Sequence, residues 1–219
     1  MLVASTAIAL PKSKVLDMPV RHLNQSPDLE AFAYIRPCIG ERVSGDTAVI
    51  ASRDGHGMCA VIDALGHGPA AHQVAVAAER YLIDNWAVDP LAMLQDLSNV
   101  LSGGLGAAAG IAVIEFAGYR IKYAGVGNTT LRVFNGKPRR LLSVEGVLGQ
   151  KFRAPHCEEL TLLPDEVLVM YPDGVSDRME IRRSELRVRR SCGHFVRSLV
   201  ERFGKDHDDA TCLVARRIK

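Results

Sequence analysis

The sequence predicts an α+β fold in which helices pack on antiparallel β-sheets. Strand-like and helix-like segments come in blocks and do not alternate strictly, as they would in a doubly wound parallel fold. Turns that contain glycine, asparagine or aspartate separate the strand-like segments, which is typical of antiparallel hairpins. Hydrophobic residues make up 47% of the 219 residues, so the chain can bury a substantial core.

The first block of the chain combines three strands with two helices. The strands are predicted at 31–36, 47–53 and 58–63. Asp54-Gly55-His56-Gly57 forms a plausible hairpin turn between the second and third of them. One helix begins at Pro69 and ends near Trp86, with proline in its first turn. A second begins at Asp89-Pro90, where aspartate can cap the helix, and ends near residue 101.

The second block follows a glycine-rich break at 102–106. Strands are predicted at 108–116, 120–125, 129–134, 158–163 and 166–171. Helical stretches are expected near 176–183 and 191–203, before a last strand at 210–216. Residues 1–28 contain three prolines without periodicity and are predicted to form an N-terminal arm, and residues 29–219 a single domain.

Composition limits the classes of function. The net charge of +2 gives no general case for nucleic acid or membrane as a partner, and no apolar run is long enough to span a bilayer. Five cysteines without a CxxC pair indicate a reducing cytoplasm and argue against a zinc site. One segment is strongly basic, through Arg182, Arg183, Arg187, Arg189 and Arg190. This segment is either a solvated face or a docking surface for an acidic or phosphorylated partner; the lack of interleaved aromatic residues disfavours nucleic acid.

Four short motifs place aspartate next to apolar runs: Ser44-Gly45-Asp46, Asp63-Ala64-Leu65-Gly66-His67-Gly68, Asp173-Gly174-Val175 and Asp208-Asp209-Ala210-Thr211. Each aspartate taken alone could be a turn residue. Independent turns would not explain why all four motifs lie at strand ends. Carboxylates that converge from different strands repel one another unless a cation lies between them, and Mg²⁺ and Mn²⁺ prefer oxygen ligands. The sequence therefore predicts a metal-carboxylate enzyme.

Two similar strings compete for the central position of this site. Asp54-Gly55-His56-Gly57 connects two strands tightly, and we interpret it as turn chemistry. The motif that begins at Asp63 lies between a buried strand and a helix N-terminus, where backbone N–H groups and the helix dipole favour an anion such as phosphate. We therefore assign the chemistry to Asp63.

With these motifs the chain resembles the metal-dependent serine/threonine phosphatases of the type-2C class. The resemblance covers roughly residues 31–216 and is closest in form to the compact bacterial branch of SpoIIE, RsbU and above all RsbX. Further matching segments are Gly106–Val113, Tyr123–Asn128 and Gly146–Gly149. It implies a central sandwich of two antiparallel β-sheets flanked by helix pairs, with two Mn²⁺ or Mg²⁺ ions at one end.

The resemblance also implies roles for individual residues. Asp63 would bridge both ions, the carbonyl of Ala64 would bind one of them, and Asp46 would support the second. Asp173 with Asp208 or Asp209 would complete the first; Asp208 is preferred. A water between the ions would attack phosphorus directly. His67 is either a general acid for the leaving hydroxyl or an exposed residue that caps the helix.

The implied activity is hydrolysis of phosphoserine or phosphothreonine on a STAS-domain protein of a bacterial stress-signalling complex. Two departures from the family pattern are Ala64, where glycine is usual, and Pro172, where a small polar residue is usual. They motivate an alternative, in which a degenerate phosphatase fold acts as a protein-binding module. The sequence leaves the oligomeric state open.

Overall fold

Two five-stranded antiparallel sheets stack face to face in the computed structural model, which describes residues 28–181, 185–186 and 192–218. The first sheet has the order β1-β10-β9-β6-β7 and the second has the order β2-β3-β4-β5-β8. The strands are β1 (Leu29–Arg36), β2 (Asp46–Arg53), β3 (His56–Ala64), β4 (Ala107–Glu115), β5 (Arg120–Val126), β6 (Thr130–Phe134), β7 (Arg139–Leu142), β8 (Glu158–Thr161), β9 (Val167–Tyr171) and β10 (Ala210–Arg217). This confirms the predicted α+β sandwich.

Helices cover the outer faces of both sheets. The helices are α1 (Gly68–Asn85), α2 (Pro90–Val100) and α3 (Cys192–Phe203). The predicted small-residue face of α1 is buried through Ala71, Ala75 and Ala78, which lets this helix approach the second sheet closely. The cap predicted for α2 forms, since the side chain of Asp89 accepts hydrogen bonds from the backbone N–H groups of the first turn. The helix pair α1 and α2 covers the second sheet, and α3 covers the first.

The core has three layers of apolar side chains. The central layer lies between the sheets and includes Val61, Ile114, Leu131 and Leu213. A second layer packs the β2-β3-β4-β5-β8 sheet against α1 and α2, and a third packs the other sheet against α3. Strands buried on both faces, such as β3 and β4, read as continuous apolar runs for this reason.

Nine predicted strands lie within two residues of the observed bounds, but two segments differ from prediction. Strand β7 was not predicted, because the sequence Lys137-Pro138-Arg139-Arg140 reads as a loop and Leu141 alone of the strand is buried. The helix expected near 176–183 is wrong for the described residues 176–181, which contain a turn at 177–178 and no helix. The Arg132 guanidinium donates to the carbonyls of Asp177 and Met179, so these carbonyls are bonded without a helix.

Other sequence expectations fall outside the described residues. These are the N-terminal arm up to residue 27 and the arginines 182, 183, 187, 189 and 190. No helix within the described ranges is both long enough and apolar enough to cross a membrane.

Candidate metal centre

Strand register brings the sequence-predicted aspartates to one end of the sandwich. Asp46 begins β2 and is paired directly with Asp63 near the end of β3. Asp173 follows β9, and Asp208 and Asp209 precede β10, the neighbour of β9 in the other sheet. Each sheet therefore supplies carboxylates to the same region.

Asp46 is a buried carboxyl group, 5% exposed. Its backbone N–H donates to Oγ of Ser44, 3.0 Å away, but its Oδ2 has no hydrogen-bond partner among the described residues. Burial, followed by the charges of Asp63 and Asp209, raises its pKa well above the usual range. A buried oxygen of this kind is costly unless a proton or a cation compensates it.

Asp63 and Asp208 are less buried, and the charge of Asp173 acts on both of them. Burial and the charge of Asp173 raise the pKa of Asp63 from 3.8 to about 7, although Nδ2 of Asn128 donates to its Oδ2 at 3.2 Å and opposes the rise. Burial and the same Asp173 charge raise the pKa of Asp208. Asp173 thus lies near enough to repel Asp208 within its own sheet and Asp63 from the other sheet.

Asp209 has a different environment from its neighbour Asp208. It is 2% exposed, and both its oxygens accept backbone hydrogen bonds of 2.7 Å, Oδ1 from Cys38 and Oδ2 from Gly45. These bonds fix both ends of the loop between β1 and β2. Gly174 packs against the same residue, because a Cβ there would lie 1.8 Å from the carbonyl oxygen of Asp209.

The segment after Asp63 joins β3 to α1. Ala64 is buried at the end of β3, where its backbone is extended, and its N–H donates to the carbonyl of Gly45 at 3.1 Å. The positive φ angles of this segment occur instead at Gly66, with 85°, and at Gly68, with 75°. Alanine is therefore unstrained at position 64.

His67 is the residue that immediately precedes α1. It occupies the N-cap position of the helix, but its side chain makes no capping hydrogen bond. Its Nδ1 lies 2.9 Å from Oε1 of Glu41, a residue of the loop that Asp209 fixes. The imidazole is about half exposed and lies beside the acidic end of the sandwich.

The donor set fits a hard divalent cation. Carboxylate oxygens and a backbone carbonyl are the ligands that Mg²⁺ and Mn²⁺ prefer, and the unpartnered Oδ2 of Asp46 lies within the set. In the ranges that the structure describes, no three histidine, cysteine or acidic side chains form a ready-made cluster of metal-binding geometry. The acidic side chains thus share one end of the sandwich without closing around a single point.

Sequence reasoning assigned no role to two residues of this region. Asn128 belongs to one of the segments that match the family, and its position in the β5–β6 turn, beside the start of β4, indicates that it lies near Asp63. Glu41 carries no sequence signal, because its contact with His67 depends on how the loop between β1 and β2 folds.

Comparison with solved structures identifies the fold. The structure of RsbX in complex with magnesium has a TM-score of 0.77 at 20% identity, over 90% of this chain and 99% of that chain. The catalytic domain of the serine threonine protein phosphatase PstP in complex with 2 manganese ions has a TM-score of 0.63 at 18% identity, over 88% of this chain and 99% of that chain. The fold is that of the PP2C-like protein phosphatases, a class of hydrolases.

Sequence comparison then gives the family. Residues 53–218 match the family Stage II sporulation protein E (SpoIIE), and the chain belongs to it. Phosphoserine phosphatase RsbX of Bacillus subtilis (strain 168) is 25% identical over 197 residues, which are 89% of this chain and 98% of that protein. The resemblance that the motifs predicted is confirmed.

Proposed function

We propose that the chain is a Mn²⁺- or Mg²⁺-dependent phosphatase that acts on phosphoserine or phosphothreonine of a small bacterial regulatory protein. The observation that carries this proposal is the approach of Asp46 and Asp63 from one sheet to Asp173 and Asp208 from the other. Burial and mutual repulsion raise the pKa values of Asp46, Asp63 and Asp208, and a bound cation would relieve this repulsion.

In this proposal Asp46, Asp63, the Ala64 carbonyl, Asp173 and Asp208 hold two divalent ions. When bound, such ions supply Lewis-acid charge that acidifies water and neutralises phosphate. We assign Asp209 to support, since both its oxygens already accept backbone hydrogen bonds. Asn128 orients the Asp63 carboxylate through its hydrogen bond.

The chain's own polar groups then act on the phosphate ester. The N-terminus of α1 lies directly after the Asp63 segment, and its N–H groups and dipole favour the negative charge of a phosphate group. His67 protonates the leaving serine or threonine oxygen. No protein nucleophile is required, because water attacks phosphorus.

The two departures from the family pattern are compatible with an active enzyme. Ala64 has an extended backbone, and its carbonyl remains a possible ligand. Pro172 is buried at the start of a turn in which its carbonyl accepts from the N–H of Val175 at 3.2 Å. Since both residues fit the local backbone, we favour an enzyme over the alternative of a degenerate binding module.

Hydrolysis of p-nitrophenyl phosphate in the presence of Mn²⁺ tests the proposed site. We expect Asp63→Asn to lower the rate about a thousandfold, because it removes the negative charge of the carboxylate and so weakens the binding of the ions. The matched control is Asp54→Asn at the hairpin turn, which should keep the wild-type rate. Titration calorimetry with Mn²⁺ should show the same contrast in metal affinity. Equal rates for the two variants would refute the site.

The proposed substrates are phosphorylated STAS-domain proteins of a stress-signalling complex in the cytoplasm, where the free cysteines of the chain would remain reduced. The name of the relative, phosphoserine phosphatase RsbX, supports phosphoserine as the residue that is hydrolysed. A phosphate-release screen against phosphorylated STAS proteins from the same organism tests it. Tight binding without phosphate release at saturating Mn²⁺ would support the binding-module alternative.

A further inference from the structure

The loop between β1 and β2 places a carboxylate against His67. Oε1 of Glu41 lies 2.9 Å from Nδ1 of His67, and the Glu41 side chain is 28% exposed whereas that of His67 is 55% exposed. Nε2 of His67 has no hydrogen-bond partner among the described residues. The contact therefore engages Nδ1 and not Nε2.

Several contacts fix the position of Glu41. Asp209 accepts from the N–H groups of Cys38 and Gly45 at the two ends of the loop, each at 2.7 Å. Within the loop, the N–H of Glu41 donates to the carbonyl of Cys38 at 3.0 Å. The β10 segment that presents Asp208 thus also holds the loop that presents Glu41.

Gly68 provides the space for this pair at the start of α1. Its φ of 75° lies in the left-handed region, and a Cβ on it would be 2.9–3.0 Å from the carboxyl atoms of Glu41. A larger residue at position 68 would push the carboxylate away. The glycine therefore permits both the turn into α1 and the close approach of Glu41.

We propose that Glu41 is a positioning residue, whose carboxylate holds the His67 imidazole in the orientation and tautomer needed to protonate the leaving group. This inference rests on the proposed phosphatase function. A carboxylate at Nδ1 accepts a hydrogen bond from the N–H of that nitrogen, so that Nε2 is the nitrogen left to face the ester oxygen. The same arrangement of carboxylate and histidine orients the base in catalytic triads.

The proton balance of the step is complete. Water oxygen forms the new bond to phosphorus and releases a proton to solvent, and the bond between phosphorus and the serine oxygen breaks. The serine oxygen takes the bond's electron pair and the proton from Nε2 of His67. The neutral imidazole regains its proton from solvent before the next cycle.

Substrates that differ in leaving group test the role of Glu41. Protonation matters for a phosphoserine peptide, which expels an alkoxide, and little for p-nitrophenyl phosphate, which expels a stable phenolate. We expect Glu41→Gln to lower kcat about tenfold on the peptide, part of the 10²–10⁴-fold that general acid catalysis contributes. On p-nitrophenyl phosphate the change should stay below about twofold. Glu145→Gln, which removes an exposed carboxylate paired with Arg153, should leave both rates unchanged.

A double-mutant cycle separates positioning from a structural effect. If Glu41 acts through His67, Glu41→Gln should add nothing to His67→Gln on the peptide. Equal losses on both substrates, or additive losses in the cycle, would overturn the inference while leaving the phosphatase proposal intact. Absence of phosphate release by the wild type would instead refute the phosphatase proposal.

Nitrogen-15 NMR of the imidazole tests the same inference without turnover. In the wild type we expect the neutral ring of His67 to be protonated at Nδ1, and in Glu41→Gln we expect that preference to be lost. The exposed His156 is the internal control, whose signals should not change between the two proteins. A His67 tautomer that is identical in the wild type and the variant would overturn the role of Glu41 even if the protein proved inactive.

Discussion

The two ends of the β2–β3 hairpin carry similar strings of residues in different physical settings. At the turn, Asp54 and Gly55 are exposed and adopt positive φ angles of 50° and 75°, as two-residue hairpin turns require. Seven register pairs away, or about 23 Å along the strands, Asp63 is partly buried and paired with Asp46. The histidines at the two ends also differ in the range of their contacts. His56 contacts the carbonyl of Asp54, two residues away, whereas His67 contacts Glu41 in a loop that is distant in sequence.

The difference shows how setting determines chemistry. An Asp-Gly pair with free solvent around it satisfies the local geometry of a turn and nothing more. The same type of carboxyl group, once buried beside others, acquires a raised pKa and a requirement for a proton or a cation. Without a proton or a cation, the buried carboxylates therefore destabilise the acidic end, whereas the residues of the turn end follow local backbone preference.

The largest expected effect comes from Gly174, where the backbone after Asp173 packs on Asp209. A methyl group there would lie 1.8 Å from a carbonyl oxygen, so the segments must separate. We expect Gly174→Ala to lower the free energy of unfolding by more than about 4 kcal/mol, as a strained backbone contact does. Gly118→Ala, in a turn with open space around it, should change it by less than about 0.5 kcal/mol. Urea denaturation measures both, and similar midpoints would contradict the packing.

The next largest effect should distinguish Asp209 from Asp208. Asp209→Ala leaves two buried N–H donors without acceptors, at a cost of roughly 1–3 kcal/mol for each. Asp208→Ala removes one acceptor for a backbone N–H and should cost only about 1 kcal/mol in stability. We expect Asp208→Ala to lose more Mn²⁺ affinity in calorimetry at a temperature where both variants are folded. A greater loss of Mn²⁺ affinity in Asp209→Ala than in Asp208→Ala would make Asp209 the ligand and Asp208 the supporting residue.

The acidic end should also make stability depend on pH. The pKa of Asp63 rises from 3.8 to about 7 on folding, so between these values the native protein holds a proton that the unfolded chain has lost. Without divalent ions, the free energy of unfolding should therefore fall as pH rises from about 4 to about 7. The raised pKa values of Asp46 and Asp208 add slopes of the same sign.

Thermal melts of wild type and Asp63→Asn in a chelating buffer measure this dependence. Asp63→Asn should give a shallower slope and a more stable protein near neutral pH, because it removes one repelling charge. Added Mn²⁺ should reverse the wild-type slope, since the ion binds deprotonated carboxylates. Parallel pH curves for the two proteins would indicate that Asp63 is not under electrostatic strain.

The sequence predicted the strand ends and the aspartates because these are local signals. Apolar runs that stop at an acidic residue predict both the strand and the place of the carboxylate, as at Asp63 and Asp173. The missed features are contacts between distant segments. The bonds of Asp209 to the loop between β1 and β2 have no signal in the sequence, and Glu41 reads as an ordinary loop residue until the loop is folded.

The two errors in secondary structure have the same cause. In the turn segment after Asp173, the guanidinium of Arg132 binds carbonyls that a helix would otherwise use, and Arg132 lies in a distant strand. Strand β7 is held by pairing with β6 and not by its own apolar pattern. Tertiary contacts override local preference at both places.

Two glycines give the sharpest comparison of the two ends, because alanine should lower stability by a similar small amount at each. Gly55 and Gly66 both have positive φ angles, of 75° and 85°, and a Cβ on either would meet no atom within 4 Å. Alanine at either position should therefore lower the free energy of unfolding by a similar amount, roughly 1–2 kcal/mol for the left-handed conformation.

Gly66 lies immediately before His67, so strain relief there would move the imidazole away from Glu41. We expect Gly66→Ala to lower kcat on a phosphoserine peptide about tenfold, comparable to loss of part of a general acid, while Gly55→Ala keeps the wild-type rate. Equal stability loss with equal activity would show that the backbone before α1 does not control the position of His67.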